Sequence, residues 1–180
     1  TGNSEMPTFA TYRHHPLDDA SLSHDEVTSL LEDREGNLWI GTRGGLNKLD
    51  RASGKFTRYL EQDGLADNEV VGLLQANDGN LWISTVNGLS RFDPRQGKFR
   101  NFDYSDGLQS NEFKIGAAYK TGQGELLFGG VNGFSRFFPE QVRDNPFIPP
   151  VIITDFRIFE QPISLASISA QHQEMTLSYT

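Results

Sequence analysis

The chain has 180 residues, 36% of them hydrophobic and 22% charged, with a formal net charge of -8. A chain of this length holds one domain, or one and part of another. The acidic balance argues against nucleic acid as a partner, because phosphate-backbone binding draws on clustered Lys and Arg. With no cysteine, the fold uses no disulfide and no thiolate metal site. No apolar run reaches the roughly 18 residues that span a bilayer, so no direct membrane contact is expected of this segment. The 18 Gly and 13 Phe favour turns and strands, and the fold class expected is all-β.

In chain order, Thr1 to Pro7 is polar and lacks the basic and apolar regions of a signal peptide. Phe9-Ala10-Thr11-Tyr12 then shares its pattern with two later segments, Phe56-Thr57-Arg58-Tyr59 and Phe99-Arg100-Asn101-Phe102. It reads as the last strand of an earlier unit of the same kind. The chain then enters an internal repeat, which decides the architecture before any single element does. Glu35-Gly36-Asn37-Leu38-Trp39-Ile40 returns as Asp78-Gly79-Asn80-Leu81-Trp82-Ile83, and more loosely as Gln123-Gly124-Glu125-Leu126-Leu127-Phe128. The same register carries Gly45-Leu46, Gly88-Leu89 and Gly133-Phe134, and also Asp63-Gly64-Leu65 and Asp106-Gly107-Leu108.

Within the second copy, four short apolar or alternating runs are predicted as strands: Val70 to Leu74 (a), Leu81 to Thr85 (b), Leu89 to Phe92 (c) and Phe99 to Phe102 (d). Gly, Asn and Asp fill the short linkers, as hairpins require. Four antiparallel strands recurring about every 43 residues is the pattern of a β-propeller blade. Leu81 and Ile83 alternate with Trp82, so both faces of strand b are apolar, as a sheet stacked between two others requires. Strand a carries small residues (Thr28, Ser29, Gly72, Gly116, Ala117 and Ala118) that suit the crowded axis of a propeller. The expectation is a partial propeller of about three four-stranded blades over residues 1–148, with repeats near 22–64, 65–107 and 108–148. Three blades do not close a ring, so association through the exposed blade edge, as a homo-oligomer, is expected.

The repeat fades after Phe138. Pro139, Pro146, Pro149 and Pro150 read as linker chemistry, because proline fixes φ and lacks the ladder donor. Beyond a boundary near 148, Val151 to Phe159 reads as a strand, Gln161-Pro162 as a turn and Met175 to Tyr179 as another strand. Residues 149–180 are thus expected to open an immunoglobulin-like β-sandwich.

These residues resemble a known family. Asp78-Gly79-Asn80-Leu81-Trp82-Ile83-Ser84-Thr85-Val86-Asn87-Gly88-Leu89 is similar to the two-component regulator propeller repeat of large bacterial sensor proteins. Glu35 to Leu46 matches nearly as well, whereas the third copy has Leu127 for the tryptophan and Gly129-Gly130 for Ser84-Thr85. Asp-Gly-Leu followed by Asn-Glu-Val or Asn-Glu-Phe is similar to the family's interblade loop. Pro150 to Phe159 and Leu177-Ser178-Tyr179 resemble the start of the triple-tyrosine domain that succeeds such propellers. The resemblance implies a periplasmic, ligand-sensing segment of a membrane-anchored receptor, with a kinase or nucleotide-cyclase output elsewhere in the parent. It implies a small-molecule or glycan ligand of unspecified identity.

Strand parity puts the b-c turns and the interblade d-a loops at one rim of the blades. That rim collects the candidate binding residues Arg43, Asn68, Glu69, Asn87, Asn111, Glu112 and Asn132. Each has a plainer reading: Asn87 and Asn132 precede glycine in turns, and Glu69 or Glu112 can pair with a cation or cap backbone donors. Trp39 and Trp82 are expected in the interblade core rather than as sugar platforms. His14, His15, His24 and His172 show no zinc spacing, and no motif for a metal, a cofactor or catalysis is present. The segment is therefore expected not to be an enzyme. The alternatives are an interaction scaffold and a propeller lyase or glycan hydrolase; an active site of the latter kind breaks the sameness of the repeat.

Overall fold

The computed structural model describes residues 9–142 together with two short strand pieces, Arg157–Ile158 and Gln161–Pro162. The chain divides into two compact units, Thr1–Arg143 and Asp144–Thr180. The expected boundary near 148, the strand Met175 to Tyr179 and His172 lie outside the described residues.

The first unit is three antiparallel sheets in chain order, as expected of a partial propeller. Blade 1 contains β1 (Val27–Glu32), β2 (Leu38–Thr42), β3 (Gly45–Asp50) and β4 (Lys55–Tyr59), and blade 2 contains β5 (Val70–Gln75), β6 (Leu81–Thr85), β7 (Gly88–Asp93) and β8 (Lys98–Phe102). Each is a simple meander in sequence order. Blade 3 has β9 (Phe113–Lys120), β10 (Leu126–Gly130) and β11 (Gly133–Phe137). Here the structure departs from the expected four strands. Among the described residues nothing pairs with the outer edge of β11, and the chain turns at once into the short 3₁₀ helix Pro139–Gln141. Pro139 favours that first helical turn and lacks the donor a ladder strand needs.

Alternation within strand b divides the core as the pattern demands. Leu81 and Ile83 join Trp39 and Leu46 in the cluster between blades 1 and 2. Trp82 points the other way and joins Leu89, Leu126 and Phe128 between blades 2 and 3. Both tryptophans are buried, which makes them core residues and removes them as ligand platforms. Of the small residues of strand a, Thr28, Gly72 and Ala118 sit at close approaches between inner strands, whereas Gly116 faces open space. Thr28 donates through Oγ1 to the Val70 carbonyl at 2.6 Å. At Gly72 an added Cβ would stand 3.0 Å from Cβ of Ala118, so neighbouring inner strands approach to the limit that a glycine allows.

The interblade loops are self-capped. In the first, the Leu60 amide donates to Asp63 Oδ2 at 2.8 Å, closing the 3₁₀ helix Glu61–Asp63, and Gly64 reverses the chain at φ +109. Leu65 then drops into the interblade core. Leu22 does the same against Ile40, Leu49 and Phe56 on the rear face of blade 1. Arg58 pins that segment by donating to the carbonyls of Ser21 at 2.9 Å, Asp18 at 2.7 Å and Leu22 at 3.2 Å.

Phe9 to Tyr12 forms no strand; it meets no ladder partner among the described residues. In the second unit, Arg157–Ile158 pairs antiparallel with Gln161–Pro162. Gln161-Pro162 is therefore a strand partner rather than the expected turn.

Candidate functional site

The rim where the b-c turns meet the interblade loops is assembled by one repeated backbone contact. The amide of Arg43 donates to the Glu26 carbonyl at 3.2 Å, that of Val86 to Glu69 at 3.3 Å and that of Val131 to Glu112 at 3.3 Å. Each turn is thereby tied to the residue just before strand a of its own blade. All seven candidate residues lie on this rim, but their side chains divide into three kinds.

Asn68 and Asn111 are structural. Asn68 Oδ1 accepts from the Glu61 amide at 2.9 Å, and Asn111 Oδ1 accepts from the Tyr104 amide at 2.7 Å, so each amide side chain caps a 3₁₀ turn. The Asn111 carbonyl also accepts from the Gly88 amide at 2.7 Å, which links the loop to the preceding blade. Arg43, Glu69 and Glu112 form ion pairs. Arg43 Nε lies 2.7 Å from Glu26 Oε1 and 3.6 Å from Glu69 Oε1, while Glu112 pairs with Lys114. Asn87 and Asn132 form the third kind. Their backbone amides are bound, to Thr85 Oγ1 at 3.1 Å and Gln109 Oε1 at 2.8 Å. Both side chains are exposed, and neither side-chain amide has a partner among the described residues.

Glu26 belongs with this group, although the sequence pattern alone does not single it out. Its signal is present: Asp25-Glu26-Val27 stands in register with Asn68-Glu69-Val70 and Asn111-Glu112-Phe113. The aspartate in place of asparagine hides the match. The result is one glutamate per blade at the same rim position, two of the three sharing Arg43.

The opposite rim holds a polar recess of about 260 Å³ between blades 1 and 2, lined by Asp33, Glu35, Asn37, Lys48, Asp78 and Arg95 among others. Asp33 is committed to structure there. Its Oδ2 accepts from Trp39 Nε1 at 2.7 Å, and its Oδ1 accepts from the amides of Asn37 at 2.8 Å and Glu35 at 3.1 Å. Burial pushes this carboxyl upward, but the hydrogen bonds from Trp39, Asn37 and Glu35 outweigh it and hold it below the ordinary carboxylate range. Lys48 lies over the Trp39 ring at 5.4 Å. In blade 2 the register position of Asp33 is Ala76, and Trp82 Nε1 is buried without a hydrogen-bond partner.

The histidines serve the segment before blade 1. His14 Nδ1 lies 2.8 Å from the Leu22 carbonyl, and His24 Nδ1 accepts from the Glu26 amide at 2.9 Å. Among the described residues no group of three or more His, Asp or Glu converges as a metal site. Among them also, no helix is long and apolar enough to cross a membrane.

Two segments, residues 21–44 and 64–87, match the family described as two component regulator propeller. Both segments are similar to the two-component regulator propeller repeat. Both matched segments begin one residue before a buried leucine, Leu22 or Leu65, and end at a b-c turn, so they coincide with the inner halves of blades 1 and 2. The extracellular domain assigned to the hybrid two component system BT3049 of B. thetaiotaomicron superposes with a TM-score of 0.65 at 25% identity, covering 79% of this chain. The match takes up 21% of that domain, so this chain spans about a fifth of its relative. The corresponding domain of BT4673 from the same organism gives a TM-score of 0.41 at 16% identity, over 73% of this chain and 25% of that one. Virginiamycin B lyase from Staphylococcus aureus gives 0.40 at 16% identity, over 68% and 57%. These last two superpositions are loose, and no functional argument rests on them. No curated protein sequence matches the chain.

Proposed function

We propose that this chain is an extracytoplasmic, periplasmic ligand-sensing segment of a bacterial signal-transduction receptor and is not itself catalytic. The observation that carries the reading is the pair of two-component regulator propeller repeats, folded as successive blades that superpose on an extracellular domain of a hybrid two component system. The ligand reading favours the rim of the b-c turns. There Asn87 and Asn132 present unpartnered amides on tight turns, and Arg43, Glu26 and Glu69 supply charges that a ligand can re-pair. A small polar molecule or glycan suits such a rim, because amides and carboxylates offer both donors and acceptors for hydroxyl groups. Residues beyond 148 would open the triple-tyrosine sandwich that leads toward the output domain.

The test is a glycan array probed with the labelled chain, repeated with the rim variant N87A/N132A and with D78N at the opposite rim. Binding that falls with the first variant and survives the second supports the proposal. Binding that tracks D78N places recognition at the other rim, and turnover of a bound glycan would replace sensing by catalysis.

A further inference from the structure

The recess between blades 1 and 2 differs in kind from the rim of the b-c turns. Both of its walls belong to complete four-stranded blades, and blade 1 supplies Asp33, Glu35 and Lys48 while blade 2 supplies Asp78, Asp93 and Arg95. The rim repeats one glutamate per blade, but the lining of the recess is not repeated. Between blades 2 and 3 the register positions of Asp33, Asp78, Asp93 and Arg95 hold Ala76, Gln123, Phe138 and Glu140. Residues that serve the blade recur with it, and residues that serve one ligand need not.

The lining is held in place, and its charges are not cancelled. Asp33 is fixed by the bonds described above, while Asp78 Oδ1 accepts from the Asn80 amide at 3.0 Å and Asp93 Oδ1 from the Arg95 amide at 2.9 Å. These neutral donors orient three carboxylates and leave each its charge. The Glu35 carboxylate takes only a long bond among the described residues, 3.4 Å from Gln75 Nε2. Facing them, Lys48 is half-buried with its ammonium over the Trp39 ring, and Arg95 Nη2 lies against the blade 2 turn, 3.8 Å from where a Cβ on Gly79 would stand. Neither cation forms an ion pair among the described residues, although four carboxylates line the same recess. A half-buried charge without a partner is held at a cost in solvation, which a ligand group of opposite sign offsets.

A plain anion in the recess would meet the acids, a plain cation would meet Lys48 and Arg95, and a neutral polyol would leave both sets unmatched. A molecule carrying one charge of each sign matches the lining on both sides. The volume of about 260 Å³ lies below that of pockets for drug-sized ligands and suits a molecule the size of a free amino acid. We propose that the recess between blades 1 and 2 binds a free α-amino acid as its zwitterion, with the carboxylate between Lys48 and Arg95 and the ammonium against Glu35 and Asp78. The site lies on the opposite rim from the one proposed for glycan recognition, so either can fail without the other.

The test is isothermal titration calorimetry of the unmodified chain with each standard amino acid, alongside the N-acetyl and methyl ester forms that each lack one of the two charges. At least one free amino acid should bind, and both of its blocked forms should bind roughly tenfold more weakly or worse, the worth of one charge-assisted hydrogen bond. K48M keeps an apolar stem over Trp39 and removes the ammonium, and R95Q changes an exposed side chain, so both should fold and each should weaken binding by a similar factor. K114Q, at the other rim, should leave binding unchanged. If K48M disturbs the core, R95Q reads the opposite wall of the recess. No binding by any amino acid, blocked forms that bind as tightly as the free one, or binding undiminished in both K48M and R95Q would overturn the proposal.

Discussion

Replacing Asp33 by alanine removes one carboxylate that organises the first turn of blade 1. The loss strands a buried indole N–H at 2.7 Å and the Asn37 amide at 2.8 Å, together with the Asn37 side chain, whose Nδ2 lies 2.9 Å from Oδ2. A buried donor left without its acceptor costs about 1–3 kcal/mol. The Asn37 groups lie nearer the open recess and recover part of their bonding from water, so the indole dominates. The expected loss is about 2–4 kcal/mol for D33A. Blade 2 shows that the fold itself survives the substitution, since Ala76 stands at that register and Trp82 Nε1 has no acceptor. Its turn instead uses Asp78, whose Oδ1 accepts from the Asn80 amide at 3.0 Å. Urea unfolding monitored by tryptophan fluorescence measures the difference, with D78A as the comparison. Asp78 caps an exposed turn, so D78A should cost about 1 kcal/mol or less. A D33A loss no larger than that of D78A would refute the assignment of the Asp33–Trp39 bond as a principal tie of blade 1.

Because the folded-state pKa of Asp33 is lowered, its contribution is present above the unfolded carboxylate value and is lost as pH falls through the folded one. Stability should therefore drop as acid is added below about pH 4, and D33N should flatten that part of the profile in urea midpoints measured against pH. Gly88 sits at φ +115 with the Phe102 carbonyl 2.8 Å from the place of a Cβ, whereas Gly97 at φ +66 has nothing within 4 Å. G88A should cost about 2–3 kcal/mol and G97A about 1 kcal/mol, and equal losses in thermal unfolding would contradict the close approach. Asn68 caps the Glu61 amide, so N68A should lower stability by about 1 kcal/mol while N68D, which keeps the acceptor, should not. Differential scanning calorimetry on the two variants distinguishes a cap from a residue whose amide nitrogen is needed.

Much is legible in the sequence because a repeat restates its own rules. Hydrophobic alternation around Trp39 and Trp82, glycines at the turns and a constant register are local facts, and each blade obeys them within a few residues of chain. They determine the strands of blade 2, the sorting of Leu81 and Trp82 to opposite cores, and the shared rim of Arg43, Glu69 and Asn87. Tertiary structure decides what depends on partners distant in sequence. The register is visible in Asn68 and Asn87 alike, but only the fold shows that one caps the Glu61 amide and the other projects unpartnered. The Asp33–Trp39 bond and its loss at Ala76 lie in side-chain geometry that a looser pattern match overlooks. Phe9 to Tyr12 carries the pattern of a strand and forms none, because a ladder needs an edge to pair with and a sequence pattern cannot supply one.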